Sequence, residues 1–499
     1  MEIGFLLDII SIHLKVNIKM MKIETALELL QKFNEQNYEA YIVGGAVRDL
    51  LMDREIKDID ITTNALPEQI IEFSKSNNLK YIETGLKHGT VTIIFKDLPV
   101  EVTTFRIDTN CDGRHCDVEF VSSLKKDLER RDFTINAMSM DKDGNIYDYF
   151  GGQEDIENKK IRTVGLPKRR YAEDKLRLLR AVRFNTLLDF RLEERTYYDM
   201  FEFEGTLKII SKHEFWDGDE YVEIYSKPVS DERIRDEFTK ILMSDNRVKG
   251  ILTLDNVKLL VQILPELVEL KNVEQSEVHH PEGNVFTHTL LALDSITGFN
   301  VCENPSLELL LGIVLHDIGK SKTTLKSLSE NGEIEIHFYE HENIGAEIAK
   351  KILTRMKFSS EIIDKVVWLV QNHMRIHYFS EMKKSKKVKL IEHEYFDDLF
   401  KLSNADILGS GVRYLNDDKF NNSKEIINFI KDYEIEKQNR PALTQKIING
   451  YDVMNLGLTK KDGVKIGKML ELVNDAVIEG KINSREEALE FIKDLINIE

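Results

Sequence analysis

The feature that most limits the fold of this chain is a change of periodicity partway along it. Up to residue 105, short runs rich in β-branched and aromatic residues (40–43, 59–62, 91–95 and 100–105) read as strands, with helical stretches such as 67–77 between them. From Tyr171 onward the apolar residues recur at helical spacing to the end of the chain. A chain divided in this way is expected to fold as a small mixed head followed by a long helical part, an α+β protein that is mostly α. Its 499 residues are too many for a single core, so several domains are expected.

Punctuation refines the division. Met20 and Met21 precede an amphipathic stretch over 22–37 that carries Ile23, Leu27 and Leu30. The natural start is expected there, with 1–21 as an upstream extension. The head is placed at 22–160 and a helical neck and body at 161–280. Residues 199–229 break the helical pattern with acidic and aromatic content and a turn signal at Gly218, and read as an insertion. Gly283, the 300–305 stretch and 409–411 mark further boundaries, giving a third region at 281–415 and a helical tail at 416–499.

Composition excludes several classes. Hydrophobic residues make up 42% and charged residues 31%, the balance of a folded soluble protein rather than a disordered one. Cys111, Cys116 and Cys302 form no disulfide framework, which fits a reducing cytoplasm. No apolar run approaches the length of a membrane span, so no membrane partner is expected. The apolar start carries Glu2, Asp8 and His13 and lacks a basic leader, unlike a signal peptide. The net charge of −18 does not exclude a nucleic-acid partner, because residues 159–191 hold eleven Lys/Arg against three Asp/Glu.

Chemistry concentrates first in the run from Tyr41 to Asp49, followed by Asp58-Ile59-Asp60. Gly44 and Gly45 let backbone N–H groups approach a phosphate without a Cβ in the way. Asp58 and Asp60, two apart among Ile56, Ile59 and Ile61, share one face of a strand. Two such carboxylates repel unless a cation lies between them, and oxygen ligands suit Mg²⁺. Together with Arg48 this points to metal-dependent nucleotidyl transfer, against the alternative of a solvated surface strand. Glu101, alone among strand formers, is a candidate third carboxylate or an outward edge residue. Arg131 and Asp132 offer a bidentate phosphate donor beside an acceptor for ribose hydroxyls. In the helix that follows Glu173, residues Asp174, Arg177, Arg180 and Arg183 recur every three positions, while Leu176, Leu179 and Val182 fill another face. An acid beside an arginine at fixed spacing supplies the acceptor and donor that reading a base edge requires.

Taken in order, GGAVRDLL (44–51), DID (58–60), EVTTFR (101–106), RRDFTINAM (130–138), YFGGQEDI (149–156), EDKLRLLRAVRF (173–184) and SDERIRDEF (230–238) resemble the class II tRNA nucleotidyltransferases, the family of CCA-adding enzymes and bacterial poly(A) polymerases. The resemblance implies a head with the polymerase-beta-like nucleotidyltransferase core, then an all-helical neck, body and tail. It implies Mg²⁺ on Asp58 and Asp60, with Glu101 as a third catalytic carboxylate. Gly44, Gly45, Arg48, Arg131 and Asp132 would then meet the triphosphate or ribose. Glu173, Asp174 and Arg177 would read CTP or ATP without a nucleic-acid template, supported by Arg180 and Arg183. The acceptor would be a tRNA 3′ end. One departure is the stretch between EVTTFR and RRDF, which carries Cys111 and Cys116 and is slightly shorter than the family pattern. It leaves open poly(A) synthesis and partial CC- or A-addition.

A second constellation, His288, His316-Asp317, His341, His373 and Asp406, is spread over helical sequence. Imidazole and carboxylate are ligands for a divalent transition metal. Residues 284–415 resemble an HD phosphohydrolase domain, which implies a mono- or dinuclear site and phosphohydrolase chemistry. The rival of another class is therefore an HD-type metal phosphohydrolase whose head merely binds RNA.

Overall fold

The computed structural model describes residues 20–83, 85–109, 117–276, 280–298, 301–328, 334–410, 418–443 and 445–498. Cys111, Cys116 and most of the 1–21 extension lie outside them. The chain forms two compact units, 1–265 and 266–499. Among the described residues no helix is long and apolar enough to cross a membrane.

The first unit begins with helix α1 (20–35) and then builds a seven-stranded sheet. Its strands are β1 (Ala40–Val43), β2 (Ile59–Thr63), β3 (Lys80–Ile82), β4 (Thr90–Phe95) and β5 (Leu98–Thr104), joined by β8 (Met138–Met140) and β9 (Ile146–Asp148). The order is β3-β4-β5-β2-β1-β8-β9. β2 and β5 run parallel, and every other neighbouring pair is antiparallel. Helix α2 (Gly45–Leu51) follows β1 and α3 (Pro67–Ser76) follows β2. The four strands expected from sequence are present, each within a residue or two of its expected bounds. β3, β8 and β9 are short and mixed in character, which hid them from a pattern search.

Alternation explains the sheet. Ile59, Ile61, Val91, Ile93, Val100 and Val102 all point into one core, where they meet Leu29, Leu30 and Phe33 of α1 and Ile70 and Phe73 of α3. The rings of Phe33 and Phe73 stack with centroids 3.8 Å apart. Truncating either ring in such a setting costs about 3–5 kcal/mol. With the apolar residues turned inward, the intervening Asp60 and Glu101 are left on the opposite, open face.

A hairpin of β6 (Arg106–Thr109) and β7 (Asp117–Phe120), then α4 (Leu124–Glu129), α5 (Gly152–Glu157) and β10 (Lys160–Ile161), lead to α6 (Pro167–Glu173) and α7 (Leu176–Leu187). The fully buried Leu178, Leu179, Ala181 and Val182 of α7 pack toward the helices Asp231–Leu242 and Arg247–Asn256. The 199–229 segment contains an antiparallel hairpin, Ser211–Asp217 with Glu220–Ser226, so the helical part is not purely helical. Gly218, at φ +64, makes its turn.

The second unit is built on the helices Val285–Gly298, Leu307–Leu315, His341–Arg355, Ser360–His377 and Phe396–Gly409, with a hairpin of Thr324–Leu328 and Ile334–Phe338. Ile448, Val453, Ile466, Val473, Val477 and Ile492 form a separate small core for the C-terminal helices.

Candidate active site and metal cluster

Asp58 lies in the loop entering β2, and Asp60 lies on β2 two residues later, both exposed beside the buried Ile59 and Ile61. Strand register places Glu101 of β5 directly opposite Asp60, so three carboxylates share one open face. Asp60 is reached by solvent yet crowded by protein. Burial raises its pKa, the Arg131 guanidinium opposes this, and Glu101 and Asp58 raise it further. That is the pattern of a site in need of positive charge.

Arg131 approaches from the other side. Its side chain is packed against Gly44, where a Cβ would stand 3.0 Å from Nη1. Gly44 also has φ +75 and ψ −128, a conformation open essentially to glycine alone. Gly45 begins α2. Arg131 lies 3.6 Å from Asp127 but leaves its Nε buried without a hydrogen-bond partner. Burial lowers its pKa, and an anion placed beside it would favour its charged form. A set of three carboxylate oxygen donors with an under-satisfied arginine beside them fits a hard cation and a phosphate.

Arg48 does not face this space freely. It donates to both Asp49 oxygens at 2.9 Å and to Asn136 Oδ1 at 2.7 Å, and lies 5.1 Å from the centroid of the Phe184 ring. Asn136 in turn donates to Asp132 at 3.1 Å. Asp132 also accepts from the Phe133 N–H at 2.8 Å and from Arg180 Nε at 2.7 Å. Burial opposes ionisation of Asp132, but Arg180, the Asn136 hydrogen bond and Arg177 hold its carboxyl well below the usual range.

The segment expected from sequence to read the base sits at the junction of α6 and α7. Glu173 ends α6, and its Oε2 accepts from Arg177 Nη1 at 2.7 Å. Arg177 also donates to the Arg170 and Arg130 carbonyls at 3.0 Å each. Asp174 does not pair with Arg177. It receives two hydrogen bonds from Arg233, at 2.7 and 3.3 Å. Arg130, Arg131, Asp132, Asp174, Leu176, Arg177, Arg180 and Arg233 enclose a cleft of about 250 Å³. Arg183 is turned away from it. It is buried, bonded to Glu237 at 2.9 Å and stacked 4.3 Å from Phe184, and burial pulls its pKa down to about 10. The three-residue spacing of the arginines thus drifts around the helix from cleft to core.

Sequence reading had not singled out three contributors. Arg233 lies in the SDERIRDEF run, Phe184 is the platform under Arg48, Arg180 and Arg183, and Arg130 bonds Asp127 at 2.9 Å. Only Arg130 gave a local signal, its doubled arginine.

In the second unit all six expected residues come together. His316, His341 and His373 each donate Nδ1–H to the carbonyl three residues earlier, at 2.8, 2.8 and 2.7 Å. A carbonyl can only accept, so Nδ1 carries the proton and, in the neutral ring, Nε2 is the atom left to ligate. The three Nε2 atoms converge on Asp317, at 3.3 Å for His316, 3.5 Å for His341 and 3.8 Å for His373. The Nε2 atoms of His341 and His373 lie 3.2 Å apart, an arrangement that needs a proton or a metal between them. His316 Nε2 is buried without a partner of its own. Burial disfavours charge on His316, but Asp317 and Asp406 push its pKa up to about 10, so the two carboxylates hold on its Nε2 a proton that a bound cation would displace, whereas burial and His316 push His373 down to about 3.

His288 bonds Asp406 through Nε2 at 2.9 Å and Glu282 through Nδ1 at 2.8 Å. Three sets of donors, His280 with Glu282 and His288, His288 with His316 and Asp406, and Asp317 with His341 and His373, each lie within 4.8 Å. Glu282, whose Oε1 meets His280 Nδ1 as well at 2.8 Å, and His377, 3.2 Å from Asp406, were not expected. Glu282 follows the adjacent His279-His280 pair and His377 lies one helical turn after His373, local signals that could have found both. Among the described residues such convergent donor sets occur in this unit alone, so the head carboxylates are not drawn equally close. A cleft of about 530 Å³ opens on Asp317, His341, His373, His377 and Asp406.

Comparisons with known proteins match domains in both units. Residues 40–162 match the model of the poly A polymerase head domain, 227–270 that of the probable RNA and SrmB-binding site of polymerase A, and 285–395 that of the HD domain. The chain is 47% identical over 219 residues to the CCA-adding enzyme of Lactobacillus helveticus, covering 43% of this chain and 49% of that one. It is 43% identical over 228 residues to that of Enterococcus faecalis, covering 45% and 50%. The chain thus spans about half the length of the curated relatives it matches. The Bacillus stearothermophilus CCA-adding enzyme, solved with CTP, superposes with a TM-score of 0.67 at 25% identity over 95% of this chain and 97% of that one. The Thermotoga maritima CCA-adding enzyme, solved with tRNA, superposes with a TM-score of 0.55 at 22% identity, covering 96% of each chain. The chain carries a poly A polymerase head domain and an HD domain in the fold of the CCA-adding enzymes.

Proposed function

We propose that this chain adds C, C and A to the 3′ end of tRNA from CTP and ATP, without a nucleic-acid template and with release of pyrophosphate, in the cytoplasm. The observation that carries the reading is the placement of Asp58, Asp60 and Glu101 on one open face, with the unsatisfied Arg131 beside them and a cleft that also holds Asp174 and Arg177. On this reading one unit supplies the metal, phosphate and base sites of a nucleotidyltransferase.

Asp58, Asp60 and Glu101 would hold Mg²⁺, which supplies the positive charge that favours an ionised 3′-hydroxyl and offsets charge on the triphosphate. Arg131 contributes a guanidinium to the phosphates. Asp132, held ionised by Arg180, offers an acceptor to a ribose hydroxyl. Asp174 presents carboxylate oxygens and Arg177 guanidinium donors to a base edge, so the protein itself takes the place of a template. The tRNA 3′-oxygen bonds to the α-phosphorus as the bond to the bridging oxygen breaks, and pyrophosphate departs.

A second reading concerns the other unit. The three imidazoles whose Nε2 atoms converge on Asp317 favour a divalent transition metal and hydrolysis of phosphoesters there. Two substitutions separate the sites. Asp60→Ala should abolish nucleotide incorporation and spare hydrolysis, and Asp317→Ala should do the reverse. Incorporation unchanged in Asp60→Ala contradicts the assignment of the head site.

A further inference from the structure

The 199–229 segment lies between the matched head domain, which ends at 162, and the matched RNA-binding region, which begins at 227. It grips the residues proposed to read the base, and it does so at three places.

The first is Lys175, between Asp174 and Arg177. Its side chain is fully buried, and its ammonium donates to the carbonyls of Thr206 at 2.7 Å and Ile209 at 2.6 Å and to Ser211 Oγ at 3.3 Å. All three acceptors belong to the segment. A lysine whose three N–H groups are spent on main-chain and hydroxyl oxygens fixes the backbone from which its neighbours project. The second is the Ser226 hydroxyl, which donates to the Ala172 carbonyl in the last turn of α6. The third is a chain of charges. Asp217 and Glu220, on either side of the hairpin turn, bind Arg169 Nη1 at 2.9 and 3.5 Å. Arg169 Nε lies 3.5 Å from Glu173, and Glu173 holds Arg177 at 2.7 Å. Arg177 thus has the turn of the hairpin at the far end of its own hydrogen-bonding chain.

We infer that the 199–229 hairpin is a specificity brace, with Arg169 and Asp217 as positioning residues that set the orientation of Arg177 toward the nucleotide base. The inference rests on the nucleotidyltransferase reading. Free of the brace, Glu173 and Arg177 gain rotamers that do not match a base edge, and discrimination between nucleotides falls before the rate of the chemical step does. Arg169 is about one-third exposed and Asp217 likewise, so both can be changed without opening the core.

The test is steady-state incorporation of CMP and AMP into tRNA by the full chain with Mg²⁺. Arg169→Ala and Asp217→Asn should each raise the KM for CTP and ATP about tenfold, the loss of roughly one charged hydrogen bond, with kcat within a factor of about two. Misincorporation of UMP should rise in both. Arg169→Lys should recover part of the loss, and the Arg169→Ala/Asp217→Asn pair should be no worse than either alone, because both act through one chain. Melting temperatures equal to wild type would exclude unfolding as the cause. Wild-type KM and fidelity in Arg169→Ala, with an active parent, would overturn the brace alone. An inactive parent would overturn the nucleotidyltransferase reading and the brace with it.

Discussion

Asp174 and Arg233 are 59 residues apart in the chain and meet through two hydrogen bonds, at 2.7 and 3.3 Å. The pairing means that the acid proposed to read the base, which lies in the break between α6 and α7, is itself oriented from a distant helix, by a fork whose two N–H groups hold the carboxylate plane. Replacing Arg233 by Ala should raise the KM for CTP and ATP about tenfold and blur the choice between them, since a charged hydrogen bond contributes about 1.5–3 kcal/mol. Arg233→Lys should recover little, because an ammonium lacks the fork. Steady-state incorporation with each nucleotide measures both effects.

Gly44 carries a different constraint. With φ +75 and a Cβ site 3.0 Å from Arg131, Gly44→Ala should cost about 1–3 kcal/mol of stability in backbone strain. It should also push the Arg131 guanidinium from its place, so the KM for nucleotide should rise even at temperatures where the variant is folded. Chemical unfolding and kinetics on the same preparation separate the two losses.

Metal should stabilise the second unit. Because the Nε2 atoms of His316, His341 and His373 are gathered around Asp317 only in the folded chain, a divalent transition metal should bind the folded cluster in preference to the unfolded chain. A hundredfold excess over Kd should add about 2.7 kcal/mol. A melting transition should therefore rise with added Mn²⁺ or Co²⁺ after stripping with chelator. Asp317→Ala should lose that rise, which a thermal shift titration reads directly.

Lys175 gives the account a pH signature. Burial lowers its pKa from 10.5 to about 8 in the folded protein. Between those values the unfolded chain holds the extra proton, so this group makes stability rise as pH increases from about 8 toward 10.5, and below pH 8 its contribution is constant. Lys175→Met removes that component, at the expense of carbonyls left without a donor. The difference in unfolding free energy between wild type and Lys175→Met, measured from pH 7 to 10, should therefore change in favour of wild type as pH rises. A difference that does not vary with pH contradicts the lowered pKa.

Much of this was legible from sequence because local pattern and tertiary structure agree. The alternation around Ile59, Asp60 and Ile61 carried its facing directly into the sheet, and the Asp58–Asp60 pair emerged on the open side beside Glu101. The six HD-type residues likewise converge. What could not be read is whatever depends on partners distant in sequence. Nothing local announces that Arg233 binds Asp174, or that Glu282 orients His288. Three-residue spacing falls short of the helical repeat, so the arginine row that reads as one stripe carries Arg183 into the core against Glu237. The 199–229 break was visible as lost helical periodicity, but its hairpin fold and the burial of Lys175 within it depend on contacts that no periodicity encodes.

The most direct measurement extends a tRNA transcript lacking its 3′ CCA with labelled CTP, ATP and Mg²⁺, resolved at single-nucleotide length. The account predicts addition of C, C and A in that order and a stop after the third nucleotide. A stop after two C, a single A placed only on tRNA already ending in CC, or a long A ladder would contradict full CCA addition and assign the chain to CC-adding, A-adding or poly(A) synthesis respectively. No extension of any RNA would contradict the head site itself.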